Sequence, residues 1–128
     1  MKKRVLLIDD SPVVLAKTGE ELQQRGYEVI TAANGLDANR YLFQKEKPDI
    51  IIIDVMIPLL NGNKTAKLIK ENSNTRQIPI LLLSSKSEEE LSRLARESGA
   101  DGYIQKPCDI TVLVRKIEAS LGSTAPAG

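Results

Sequence analysis

Two observations predict an α/β domain built on five parallel strands, with helices on both faces of the sheet. Three short apolar runs, Val5 to Ile8, Ile50 to Ile53 and Ile80 to Leu83, are continuous rather than alternating, as expected of strands buried on both faces. Helical stretches separate these runs and two weaker strand candidates, Glu28 to Ala32 and Gly102 to Gln105, and such alternation is the signature of a parallel sheet. A length of 128 residues suits one core. We expect one domain over 1–122 and a flexible tail or linker remnant over 123–128.

The helices follow in order. Ser11 is placed to N-cap the first, with Pro12 at its first position, Val14, Thr18 and Leu22 on one face and Gly26 as its stop. The second begins after Asn34 and Gly35 and turns Ala38, Tyr41 and Leu42 towards the core before Pro48 and Asp49 lead into the third strand. The third covers about Lys64 to Glu71. Ser87 and Glu90 have capping-box spacing ahead of Leu91, Leu94 and Ala95, so a fourth helix reaches Ser98 and Gly99. Leu113, Ile117 and Leu121 form the stripe of a fifth, between Asp109 as N-cap and Gly122 as stop.

Composition narrows the function. Eighteen basic against seventeen acidic residues leave a net charge of +1, which offers a nucleic-acid backbone no general attraction. The absence of histidine and the single cysteine, Cys108, exclude His-based zinc sites, histidine triads and an internal disulfide. The apolar stretch Val5 to Ile8 is too short for a signal-peptide core, and no run approaches the roughly 18 apolar residues of a membrane span. A cytoplasmic location is expected.

In open parallel sheets, ligands bind beyond the carboxyl ends of the strands. Strand one ends in Asp9 and Asp10, strand three in Asp54, strand four in Ser84 and Ser85, and strand five in Lys106 before Pro107. Crowded carboxylates repel unless a cation relieves them, and an all-oxygen set with incomplete protein coordination suits Mg²⁺. Beside such a metal the Asp54 carboxylate is a candidate nucleophile towards a phosphoryl group. Lys106 would share the developing charge and Ser84 would donate to a phosphoryl oxygen. Taken singly, each element also has a plain structural role: an N-capping acid, a strand terminator, a back-bonding serine, a solvated turn lysine. Their placement on one edge favours the chemical reading.

At these residues the chain resembles the receiver domain of two-component response regulators, of the chemotaxis-regulator-like kind, over about residues 3 to 121. The matching pieces are VLLIDDSP, DIIIIDVMIP followed by LLNG, PILLLSS, and GADGYIQKP. The spacings suit the family as well: 44 residues from Asp10 to Asp54, 30 on to Ser84 and 22 on to Lys106. The resemblance implies a flavodoxin-like sheet of order 2-1-3-4-5. It also implies that Asp54 is the phosphoacceptor, that Asp9 and Asp10 bind Mg²⁺ (with Mn²⁺ as a substitute), and that the backbone carbonyl of Met56 completes the protein ligands. Ser84 matches the hydroxyl residue that turns towards the phosphoryl group. Lys106 matches the lysine that pairs with that group, its bond to Pro107 being cis, and Tyr103 matches the aromatic switch that moves inward.

The implied function is a phosphorylation-dependent switch, not a turnover enzyme. With no histidine and no P-loop in the chain, the donor is expected to be a phosphohistidine on a sensor histidine kinase or a histidine phosphotransfer protein. Output is expected through the face of helix four, strand five and helix five, to a downstream protein target or a fused effector. The expected state is a monomer or a phosphorylation-dependent dimer, with no direct contact to nucleic acid or membrane. Ile57, Asn39 and Cys108 depart from the commonest family pattern. Met56 and Lys86 fall where variation tunes phosphate loss, and apolar Met56 implies slow loss. Three other readings compete: a module that docks without phosphate, an Asp-nucleophile Mg²⁺ phosphatase and a flavin-binding protein. Met56 stands where such phosphatases carry a second Asp, and no phosphate-cradling loop follows strand one.

Overall fold

The computed structural model describes residues 2–122. Five strands alternate with five helices: β1 (Arg4–Ile8), α1 (Pro12–Gln24), β2 (Glu28–Ala32), α2 (Gly35–Leu42), β3 (Ile50–Asp54), α3 (Gly62–Glu71), β4 (Ile80–Ser84), α4 (Glu88–Ser98), β5 (Gly102–Gln105) and α5 (Ile110–Gly122). The strands form one parallel sheet of order β2-β1-β3-β4-β5. The expected tail, 123–128, lies outside the described residues.

Strand parity divides the core. Leu6, Ile8, Ile51, Ile53, Ile80 and Leu82 point to the layer of α2, α3 and α4. Their neighbours Val5, Leu7, Ile50, Ile52, Leu81 and Leu83 point to α1 and α5, against Leu22, Leu113 and Ile117. The three central strands therefore read as unbroken apolar runs because both faces are covered. Burying each of these Leu, Ile and Val side chains contributes about 1.5–3 kcal/mol.

Caps set the helix starts. The Ser11 hydroxyl accepts from Val14 N, Asn34 Oδ1 from Asp37 N and Ser87 Oγ from Glu90 N. At α5 the Asp109 carboxylate accepts from Thr111 N at 2.9 Å. Gly99 closes α4 at φ 80°, a conformation that a side chain would strain. Helix α3 starts two residues before the expected Lys64: Asn61 stands at the cap position without a side-chain bond, and Gly62 N donates to Val55 O at 2.8 Å. At the other end of the sheet Lys70 Nζ donates to the carbonyls of Ile78 and Arg76 and pairs with Asp101 at 2.8 Å. The same Asp101 oxygen accepts from Ile80 N, which ties α3 to the entries of β4 and β5.

Gly62 lies so close to the end of β3 that an added Cβ would meet the Asp54 carbonyl oxygen at 2.0 Å. Backbone cannot give way there as a flexible side chain would. Gly62→Ala is expected to destabilise the fold by on the order of 3 kcal/mol in urea titration.

Candidate functional site

Register brings the charged residues level. Ile8 pairs with Ile53, so Asp9 and Asp54 leave adjacent strands at the same height. Asp54 pairs with Leu83, one residue before Ser84, and Ser84 pairs with Gln105, one residue before Lys106. Lys106 N donates to Ser84 O at 2.7 Å, and the Lys106–Pro107 peptide bond is cis.

Three of these strand ends share one local device. Asp9 Oδ1 accepts from Ser11 N at 2.9 Å, Asp54 Oδ1 from Met56 N at 2.9 Å and Ser84 Oγ from Lys86 N at 3.1 Å. In each, the short side chain bonds the backbone two residues on, as Asp and Ser do in turns. One side-chain oxygen of each acid is thereby fixed and the other is aimed across the sheet edge.

Lys106 meets both second oxygens. Its ammonium lies 2.6 Å from Asp54 Oδ2 and 3.3 Å from Asp9 Oδ2. Both carboxylates are buried, so one cation serves two anions in a poorly solvated place. Burial lifts the Asp54 carboxyl above its ordinary value; the Lys106 bond and the Met56 N–H pull it down, and neighbouring Asp9 pushes it up again. Burial draws the Lys106 ammonium down, but the Asp54 carboxylate, followed by Asp9, outweighs it and holds the ammonium above its ordinary value.

The structure thus draws Asp9, Asp54 and Lys106 together and leaves others of the expected cluster apart. Asp10 is exposed, and among the described residues no three acidic or cysteine side chains gather about one point. Ser84 is buried and its hydroxyl is engaged with its own loop rather than with Asp54. Tyr103, on edge strand β5, is half-buried, with its hydroxyl 3.4 Å from Glu88 Oε2 and Lys116 Nζ 5.9 Å from its ring centroid. Met56 has an exposed side chain, so its link to the site is through its backbone. Cys108 is half-buried, and burial raises its thiol above the ordinary value. The donor set is compatible with an oxygen-preferring divalent cation: two buried carboxylates exceed the one ammonium between them, and Asp10 follows Asp9 in the chain.

A family model described as the response regulator receiver domain matches residues 5–118. Protein PilH of Pseudomonas aeruginosa is 33% identical over 118 residues, covering 92% of this chain and 97% of its own. The chemotaxis response regulator CheY4 of Vibrio cholerae superposes with a TM-score of 0.86 at 32% identity, over 94% of this chain and all of its own. The receiver domain of the sensor histidine kinase PA1611 of P. aeruginosa, with a magnesium ion coordinated in its active-site cleft, gives 0.85 at 26% identity, over 95% of this chain and 99% of its own. The chain spans about half the length of some transcriptional regulators that it also matches, 49% of one and 54% of another. Among the described residues no helix is long and apolar enough to cross a membrane.

The excess of carboxylate has a thermodynamic consequence. A carboxyl whose pKa is higher in the folded state than in the unfolded chain costs stability once pH has risen through the folded value, and costs none below the unfolded value. Asp54→Asn removes that cost and leaves Lys106 paired with Asp9. With divalent ions chelated, Asp54→Asn is expected to be more stable than the parent at neutral pH. The difference should vanish in denaturant titrations below about pH 4.

Proposed function

The chain belongs to the response regulator receiver domain family, and on that premise we propose that it is a phosphorylation-dependent switch whose acceptor is Asp54. Receiver domains act as signalling domains that interact with histidine kinases and downstream effectors. The observation that carries the assignment within this chain is the Asp54 carboxylate at the end of β3, oriented by Met56 N and held 2.6 Å from Lys106.

The donor is a phosphohistidine of a sensor histidine kinase or a histidine phosphotransfer protein. An Asp54 carboxylate oxygen attacks phosphorus, the P–O bond forms as the P–N bond breaks, and the departing imidazole keeps its electron pair and takes a proton. Lys106 turns its ammonium from the carboxylate to the phosphoryl oxygens. Ser84 gives up its bond from Lys86 N to donate its hydroxyl to another of them. Asp9, Asp10, Asp54 and the Met56 carbonyl would hold Mg²⁺, or Mn²⁺ in its place. When bound, that ion neutralises charge on the carboxylates and on the incoming phosphoryl group. The product is a mixed anhydride that the chain itself does not pass on catalytically, so no multiple turnover is expected.

The switch runs through β4 and β5. Movement of the Ser84 hydroxyl opens space into which Tyr103 turns, away from Glu88, and this alters the face of α4, β5 and α5 presented to a downstream protein or a fused effector. The working state is a monomer or a phosphorylation-dependent dimer in the cytoplasm, without direct contact to nucleic acid.

Two measurements test the proposal. In Mg²⁺ buffer with a phosphorylated histidine phosphotransfer domain as donor, Asp54→Asn should acquire no label, and Lys106→Ala should slow incorporation by roughly 100-fold. Label on Asp54→Asn at the parent's level sinks the assignment. Because Met56 offers no side-chain group to position a water, the phosphorylated parent should lose phosphate over minutes or longer. A half-life of seconds in purified protein would contradict that role for Met56.

A further inference from the structure

Large exposed apolar side chains cluster on one face, away from α4, β5 and α5. Leu36 (74% exposed) on α2 and Phe43 (48%) at its C-cap, Leu59 (77%) and Leu60 (37%) in the β3–α3 loop and Leu68 (57%) on α3 line a groove of about 550 Å³. Leu59 also holds a left-handed φ of 74°, where a bulky L-residue is strained. A residue both strained and exposed adds little to folding, and such positions mark binding surfaces. Asn39, the polar departure on α2, lies in the same groove.

The groove has the form of a helix seat. Leu36, Asn39 and Phe43 recur at steps of three and four along and just past α2, as do Thr65, Leu68 and Asn72 along and just past α3. Two ridges separated by a trough about two turns long accept the ridge of a third helix. The rim carries positive charge. Arg40 follows Leu36 by one turn, its guanidinium 2.9 Å from the Tyr41 hydroxyl, and Lys64 precedes Leu68 by one turn with Lys67 behind it. Lys64 and Lys67 are exposed and make no ion pair among the described residues. Glu71 is the one acid of α3, while the Asp37 carboxylate on α2 accepts from Ala33 N and offsets part of the Arg40 charge, so Lys64 and Lys67 are the cations left over.

We propose that the α2–α3 groove docks an amphipathic helix of a partner protein, its apolar stripe against Leu36, Phe43, Leu60 and Leu68 and its acidic flanks facing Arg40, Lys64 and Lys67. The Asn39 amide sits where a polar side chain of that helix would fix its register. A second copy is disfavoured as occupant: groove against groove would oppose the same cations, and the large apolar side chains exposed elsewhere, Val13, Met56 and Val112, stand singly. The docking needs no phosphate on Asp54, so its test is independent of that reading.

The test uses the unphosphorylated chain and a fluorescein-labelled helical peptide of about 15 residues, with Leu at i, i+3, i+4 and i+7 and Glu on both flanks. A twin peptide carries Lys for every Glu. The Glu peptide should bind, with amide shifts in the unmodified protein confined to residues 35–43 and 59–72. Leu36→Asp and Leu68→Asp, both at solvent-facing positions, should weaken it by roughly tenfold or more, and Val13→Asp on α1 should not. Lys64→Glu with Lys67→Glu should weaken the Glu peptide and strengthen the Lys peptide. Equal binding of the two peptides, shifts on another face or no binding overturns the proposal. So does a concentration-dependent dimer in sedimentation that Leu68→Asp dissolves, which would make a second copy the occupant.

Discussion

The central constraint on this molecule is that β1, β3 and β4 are dry on both faces. A strand covered by helices on either side has no place for an unpaired charge along its length. The first ionisable side chains therefore appear where each strand runs out, and parallel register sets those ends side by side. Asp9, Asp54, Ser84 and Lys106 form a row because the sheet stops being buried at one common edge. The same constraint explains why the opposite edge carries its own tie, Lys70 with Asp101, where incoming chain segments need their backbone groups satisfied.

Within the row, local geometry comes before long-range attraction. Asp9, Asp54 and Ser84 each take the N–H two residues downstream, so their orientation is fixed by the loop that follows them. Lys106 reaches its position differently: its backbone is held by the Ser84 carbonyl and its long side chain spans the gap to two acids. The row thus combines three short, stiff groups with one long, adjustable cation. The cation has freedom to move that the three short groups lack.

Much of this was legible in the sequence. The continuous runs at Val5, Ile50 and Ile80 named the central strands because nothing but double burial makes an uninterrupted run of four aliphatic residues useful. Ser11, Ser87 and Asp109 marked helix starts because orphan N–H groups need short oxygen-bearing side chains, whereas Asn34, read with Gly35 only as a turn ahead of helix two, proves to be its cap. The start of α3 was not legible, because Asn61 makes no cap bond and the contact that fixes Gly62 comes from β3, remote in the chain's local pattern. Nor was the exposure of Asp10 beside buried Asp9: two adjacent acids after a strand look alike until the sheet places one inward. The Lys70 and Asp101 pair joins residues thirty-one positions apart with no shared motif, and left-handed Leu59 contradicts what its side chain alone would suggest.

The contact of Gly62 with the Asp54 carbonyl reaches further than stability. With no room for a methyl group between them, the first turn of α3 is seated directly on the peptide plane that carries Asp54. Gly62 N holds the Val55 carbonyl, and the Thr65 hydroxyl holds those of Asn61 and Leu60, so the loop between is stapled at both ends. The main chain at Asp54 and the first turn of α3 are therefore in direct contact, with no side chain between them. One wall of the α2–α3 groove thus rests on the same stretch of main chain that carries the Asp54 carboxylate, so the groove and the charged strand ends meet at one residue.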